Sequence, residues 1–258
     1  MSAAPIECLP TGALAGKRVA ITGASRGIGA ACAVACAAGG AEHVALIART
    51  RRRLWLVARD TERAGANTSL HLCDVTTTNQ LVSVLDGLAP LDVLVNCAGA
   101  NQPEPLLDVQ PETFERLWRL NVQAAFFASQ AAARAMIAHH RPGVIVNISS
   151  QMGHVGAPLR TVYCTTKHAL EGMTRAMAAE LASNGIRVVS VAPTFTHTEM
   201  TEAQLEDPEL GPRLLAEIPL GCFADPQDTA AAVVFLASEQ ARMITGESLK
   251  VDGGWTAK

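Results

Sequence analysis

Charge and aromatic rings are both scarce in this chain: 17% of its 258 residues are Asp, Glu, Lys or Arg, and 4% are Phe, Trp or Tyr. Its 21 basic and 24 acidic side chains leave a net charge of −3, with no basic excess to hold nucleic acid or a membrane surface. Long apolar runs are missing too. The run from Ala30 to Ala38 stops at Gly39-Gly40, short of the roughly 18 residues a membrane span needs. Residues 1–16, with Pro5, Glu7 and Pro10, have neither the basic nor the apolar stretch of an export signal. The seven cysteines (Cys8, Cys32, Cys36, Cys73, Cys97, Cys164 and Cys222) are odd in number and form no C-x-x-C, so they read as reduced packing residues of a cytoplasmic protein. Cys32 and Cys36 share a helix face, but no histidine lies near them, and no metal site is read anywhere in the chain. What is abundant is apolar bulk: 49% of residues are hydrophobic, enough for one large self-folding domain or two small ones.

Short β-branched runs alternate with longer alanine-rich stretches. Strands are expected at 18–21, 44–48, 69–72, 91–96, 144–149, 187–192 and 248–251, and helices at 27–39, 52–65, 77–88, 111–140, 162–184 and 226–238. Strict alternation with continuously apolar strands, such as Val93-Leu94-Val95 and Val144-Ile145-Val146, predicts an α/β fold: a doubly wound, seven-stranded parallel sheet with helices on both faces. Asp225-Pro226 reads as a helix start, and Gly185 after Asn184 as a helix stop. No linker or repeat divides the chain, so 1–258 is expected to be a single domain. Residues 194–222 carry Pro208, Pro212 and Pro219 without a strand signal and are expected to form a loop with short helical pieces, placed as a substrate lid.

Directly after the first expected strand comes Thr22-Gly23-Ala24-Ser25-Arg26-Gly27-Ile28-Gly29, opening a small-residue helix. Glycines here would let the backbone turn tightly and approach a pyrophosphate, held by the free N–H groups and positive dipole end of the helix; packing alone is the plainer explanation. The T-G-x-x-x-G-x-G spacing at this position resembles the short-chain dehydrogenase/reductase superfamily in its single-domain form of about 250 residues. Three further stretches are similar to that family: Asn96-Cys97-Ala98-Gly99, with Cys97 where the family has Asn; Asp74-Val75, where family members hold an adenine ring; and Val251-Asp252-Gly253-Gly254. The resemblance runs from about residue 16 to residue 255. It implies a Rossmann fold and a nicotinamide cofactor held by Gly23, Ser25, Arg26, Gly27, Ile28, Gly29, Asp74, Val75, Asn96, Ala98 and Gly99.

Tyr163, the chain's single tyrosine, and Lys167 are spaced to share one helix face. A phenol titrates near 10 while a proton-transfer catalyst works best near 7, so its surroundings must make up ~4 kcal/mol, part of which a neighbouring ammonium supplies. The pair also matches the family's Y-x-x-x-K. Ser150, thirteen residues before Tyr163, matches the family's catalytic serine, with Ser149 as the alternative because strand alternation lets only one face the substrate. Asn121, in Leu120-Asn121-Val122, resembles the fourth member of the tetrad. The implied mechanism moves a hydride between nicotinamide and a carbonyl carbon. In it Tyr163 exchanges the proton, Ser150 orients the oxygen, Lys167 binds the ribose and tunes Tyr163, and Asn121 completes a proton relay. Pro193-Thr194-Phe195-Thr196-His197-Thr198 resembles P-G-x-x-x-T, with Thr194 replacing glycine; Pro193 and Thr198 would contact the cofactor.

Substrate contacts are expected from Ser150, Gln151, His154, Arg160, His197 and Met200. Six acids against Arg213 between 199 and 217 make the lid locally acidic, which favours a small polyol, sugar acid or hydroxy-ketone over the acidic carrier of a 3-oxoacyl thioester. At the end of the second expected strand, where an acid would select NAD, the chain has Ala48-Arg49. Arg26 and Arg49 would flank a 2′-phosphate, so NADP(H) is preferred and NAD(H) remains the alternative; Arg52 and Arg53 read as helix-surface residues. Two other classes compete with the enzyme. One is a non-catalytic dinucleotide sensor, which would not need the tetrad. The other is a nucleic-acid module on Arg49–Arg63, which lacks an aromatic stacking platform. Similar proteins assemble as tetramers, and Ala131-Ala132-Ala133 and Trp255 are candidates for packing in a homotetramer or homodimer.

Overall fold

The computed structural model describes residues 12–257; Cys8, Pro5, Glu7 and Pro10 lie outside them. Seven strands form one sheet: β1 (Arg18–Thr22), β2 (His43–Ala48), β3 (Asn67–Leu72), β4 (Val93–Asn96), β5 (Gly143–Ile148), β6 (Ile186–Pro193) and β7 (Ser248–Val251). All pair in parallel in the order β3-β2-β1-β4-β5-β6-β7. This is the doubly wound Rossmann arrangement expected from the alternating pattern.

Parallel strands need covered crossovers on both faces, and the residue alternation shows how the two faces are shared. Val19 and Ile21 of β1, Val93 and Val95 of β4, and Val144 and Val146 of β5 point to one side, under α1 (Gly27–Ala38), α2 (Arg51–Arg63) and α9 (Pro226–Ala237). Ala20, Leu94 and Ile145, the residues between them, point to the other side, under α3 (Thr78–Asp86), α5 (Ala124–Ala138) and α6 (Thr161–Leu181). Ala131, Ala132 and Ala133 all lie in this second core, so they serve packing within the chain rather than between subunits. Trp255 is likewise engaged internally, with its ring centroid 5.6 Å from that of Phe195. Of the cysteines, Cys32, Cys36, Cys73 and Cys164 are buried as expected, whereas Cys222 is exposed.

The largest departure from the expected elements is in 111–140, read as one helix. The chain instead forms α4 (Pro111–Trp118), a π-helical turn at Arg119–Gln123, and then α5. The cause is Asn121. Its side chain takes up the backbone of Ala100 on both sides, accepting from its N–H and donating to its carbonyl at 2.9 Å each, and the wider turn gives it room to do so. The α9 start agrees with the sequence reading: the Asp225 carboxylate accepts from the Gln227 N–H at 2.9 Å, and Asp228 answers from the third position onto Asp225 N–H at 2.8 Å. Residues 194–222 hold the two short helices α7 (Glu202–Leu205) and α8 (Leu210–Ala216) and no strand.

Candidate active site

Chain order reverses direction across the sheet between β1 and β4, so the loops leaving their carboxyl ends part and open a crevice. The two loops are bound together at its base. Thr22 Oγ1 accepts from Cys97 N–H at 3.1 Å and Ala98 N–H at 3.3 Å. A Cβ on Gly23, whose φ is +69°, would stand 2.8 Å from the backbone of Ala98, and one on Gly29 would stand 2.4 Å from the carbonyl oxygen of Gly23. Gly27, at φ +53°, faces Thr198 Cγ2. The first turn of α1 has no side-chain cap and no acid, which leaves its N–H groups and positive end available at the cradle the glycines make. This is a donor set suited to a dinucleotide's pyrophosphate, with Thr198 closing its far side.

The charges expected around the adenosine end are present but arranged differently. Arg26 and Arg53 both reach the Glu199 carboxylate, at 2.8 Å each, so Arg53 belongs with Arg26 rather than with the outer helix surface. Its place in the first turn of α2 points it toward the segment after β6. Arg49 lies 3.8 Å from Asp74, whose carboxyl is held below its usual range chiefly by the hydroxyl and N–H of Thr76. Val75 is buried. Asn96 turns its side chain into the sheet's flank, where its amide donates to Ser129 Oγ and to Asn147 Oδ1 at 2.9 Å each; the side chain therefore fixes the end of β4 instead of facing the crevice.

A pocket opens beside this crevice, at the carboxyl ends of β5 and β6. Ser150, Gln151, Arg160, Tyr163 and Met200 line it together with Asn101, Met152, Thr194, Phe195, Thr201 and Gln204. Tyr163 faces the same pocket as Ser150, whose Oγ accepts from Met152 N–H at 3.1 Å and starts the short 3₁₀ turn Gln151–Gly153. Ser149 is turned away from the pocket, with its Oγ 2.9 Å from where a Cβ on Gly153 would stand, so geometry chooses Ser150 of the pair. Lys167 donates to the Ile148 carbonyl at 2.8 Å and lies 5.5 Å from the centre of the Tyr163 ring. Asn121 bonds Thr166 Oγ1 at 3.1 Å, the neighbour of Lys167. Gly99 lies between the two functional groups: a Cβ there would be 3.4 Å from Asn121 Oδ1 and 3.9 Å from Lys167 Nζ.

Burial dominates the electrostatics here. It pushes the Tyr163 phenol up to about 12, outweighing the nearby Ser150 hydroxyl and the Arg160 charge that draw it down. It also pulls Lys167 down to about 8. The Arg160 charge also favours the phenolate. Two expected substrate residues are elsewhere. The 3₁₀ turn after Ser150 carries His154 toward β7, where Nε2 lies 2.9 Å from Ser248 Oγ and 3.4 Å from Glu171 Oε1. His197 sets its ring edge-on to Phe223, outside the pocket. Pocket residues that the sequence did not reveal, such as Asn101, Thr201 and Gln204, come from loops and from α7, where no period or motif marks them.

A family model described as "Enoyl-(Acyl carrier protein) reductase" matches residues 23–256. The chain is 40% identical to L-xylulose reductase of Bos taurus, across 95% of this chain and 98% of that protein. It is 37% identical to carbonyl reductase [NADPH] 2 of Sus scrofa, across 94% and 97%. Among solved structures, a gluconate 5-dehydrogenase from Burkholderia cenocepacia, in complex with NADP and tartrate, superposes with a TM-score of 0.89 at 31% identity, across 95% and 97%. The chain belongs to the short-chain dehydrogenase/reductase superfamily. It is accordingly an oxidoreductase acting on CH–OH and C=O groups.

The glycine turn gives a stability test. Gly23→Ala must escape both a positive φ and a 2.8 Å approach to Ala98, and is expected to lower the unfolding free energy by about 1–3 kcal/mol in urea denaturation. A variant as stable as the parent would show that the two loops do not meet as described.

Proposed function

We propose that this chain is an NADP(H)-dependent oxidoreductase, a single domain over 1–258, that interconverts a ketone and a secondary alcohol on a small polar substrate: a polyol, sugar acid or hydroxy-ketone. The observation that carries the reading is the half-buried Tyr163, which lines one pocket with Ser150 beside the glycine cradle. The names of the relatives point the same way, being reductases or dehydrogenases of a ketose, a carbonyl compound and a sugar acid. Both amide atoms of Gln151 and the Thr194 hydroxyl are buried without partners, a lining suited to substrate hydroxyls rather than to the chain of a 3-oxoacyl thioester.

Residues 23–29, Val75, Ala98, Gly99, Pro193 and Thr198 would hold the cofactor's backbone. Lys167, released from Ile148 or while keeping it, would reach its ribose hydroxyls. When bound, the nicotinamide supplies the hydride for reduction and takes it back in oxidation. Ser150 Oγ donates to the substrate oxygen and orients it toward Tyr163. The Tyr163 hydroxyl then donates its proton to that oxygen, and Asn121, whose π-turn places it by Lys167, lets the proton be replaced from solvent through the ammonium. Arg26, Arg49 and Arg53 would meet a 2′-phosphate, and no acid at the end of β2 would repel it. Residues 194–222 act as the lid, tied across the crevice by Glu199. Free thiols support a cytoplasmic enzyme. Among the described residues, no helix is long and apolar enough to cross a membrane. Phe114, Trp118 and Phe126, exposed on α4 and α5, support assembly into a homotetramer or homodimer.

Tyr163→Phe should reduce turnover by about 10²-fold or more while NADPH still quenches or enhances fluorescence on binding; near-parental turnover would reject the assignment. The high Tyr163 pKa also sets a sign for pH. Below it the phenol is protonated, ready to donate in reduction, while oxidation needs the phenolate, whose fraction grows as pH rises toward that value. From about pH 6 to 9, kcat/KM for alcohol oxidation should climb and that for ketone reduction should stay level or fall; a flat oxidation profile contradicts this. NADPH should bind about tenfold or more tightly than NADH, and Arg49→Asp should narrow or invert the gap, as read by fluorescence titration. Sedimentation at micromolar concentration should show a dimer or tetramer, and a 27 kDa species alone would refute assembly.

A further inference from the structure

Arg160, the residue that starts α6, is 9% exposed and lines the pocket three positions before Tyr163. One end of its guanidinium donates to Gln204 Oε1 of α7 at 2.9 Å, while the other terminal nitrogen, Nη1, is buried with no partner. Among the described residues no carboxylate lies within ion-pairing distance of it, and no Asp or Glu lines the pocket. A guanidinium does not shed its proton, so a buried one without a counter-charge is expensive unless something else supplies the charge. The contrast with half-buried Arg187 is direct. There both terminal nitrogens end on backbone carbonyls, of Ile244 at 3.2 Å and Ser238 at 3.1 Å, as a structural arginine requires.

We propose that Arg160 is a carboxylate anchor, and that the pocket therefore selects an anionic hydroxy acid or keto acid over a neutral polyol or ketose. This inference rests on the ketone–alcohol chemistry assigned above and narrows its substrate class. The spacing fits an anchor, because one turn of helix separates Arg160 from the tyrosine that faces the reacting oxygen, so the acid group and the carbonyl lie along the same wall of the pocket. Gln151, Thr194 Oγ1 and Asn101 Oδ1, all with unpartnered buried atoms, remain for the hydroxyls between them. The acids of 199–217 do not oppose an anion here. Glu199 is held by Arg26 and Arg53 and Asp207 by its own turn, at the N–H groups of Glu209 and Leu210, and none of the six lines the pocket. Because the bond to Gln204 ties Arg160 to α7, a bound carboxylate would also steady the lid.

The test uses probe pairs that share a carbon skeleton and carry either a carboxylate or a neutral alcohol at the chain end. Tartrate and threitol share a four-carbon skeleton, as a 5-ketohexonate and a hexulose share six carbons. Calorimetry on the NADPH-loaded protein should show tartrate binding about tenfold or more tightly than threitol, the scale of one charge-assisted contact. In Arg160→Met the ratio of kcat/KM for the keto acid to that for the hexulose should fall by about the same factor, chiefly through KM, and Arg160→Lys should recover part of it. Equal binding of tartrate and threitol by the parent protein overturns the anchor, whether or not the variants fold. So does an equal proportional loss on both substrates, which would leave Arg160 acting only on Tyr163. Absence of turnover on any ketone or alcohol would instead overturn the proposed function, and the calorimetric comparison would still decide the anchor.

Discussion

The structure depends on one close approach: the backbone of Gly23 against that of Ala98, where the loops leaving β1 and β4 meet at the base of the crevice. An all-parallel sheet brings the carboxyl ends of all strands to one edge, but only between β1 and β4 do the outgoing loops diverge. Thr22 joins the two loops through its hydroxyl, and Gly29 lets the first turn of α1 settle over Gly23. A side chain at either glycine would lift α1 off the sheet, and with it the uncapped N–H groups that make the crevice receptive to phosphate. The same edge carries Ser150 at the end of β5 and the loop after β6, so cradle and pocket are placed by one sheet.

Around that edge the protein buries polar groups without satisfying them all. Lys167, Arg160 and the Tyr163 hydroxyl sit in a region of low dielectric, where burial moves the phenol up and the ammonium down. Glu171, one turn beyond Lys167 along the same helix, shows the alternative. It is equally buried, but accepts from Ser190 Oγ at 2.8 Å and Ser248 Oγ at 3.1 Å and has His154 beside it. One stretch of α6 is thus satisfied within the chain, while at its start Arg160 is left with an unpartnered nitrogen beside the pocket. The difference separates a structural network from a binding site more clearly than residue type does.

Much of this is legible in the sequence. The alternation of apolar strands with alanine-rich helices specifies a parallel sheet because both faces of each strand must be covered, and the glycine spacing and Tyr163–Lys167 interval rest on rigid local geometry that a linear sequence preserves. Asn121 is visible as a residue, but not as the cause of a π-turn, since its partner Ala100 lies outside its own helix. His154 and His197 defeat a linear reading for a related reason: a short turn after a strand can send the next side chain to either side, and contacts with Glu171 and Phe223 decide which.

By itself, then, the sequence determined the class of fold and marked the glycine turn and the Tyr163–Lys167 pair, because each follows from periodicity or fixed spacing along one or two elements. Tertiary structure alone decided which arginines share Glu199, which serine of the pair faces the pocket, and that Arg160 is buried beside Tyr163 with half its guanidinium unanswered. Those are properties of charge and solvent exclusion. They depend on which distant residues arrive, and on which do not, and no spacing within the chain encodes the absence of a partner.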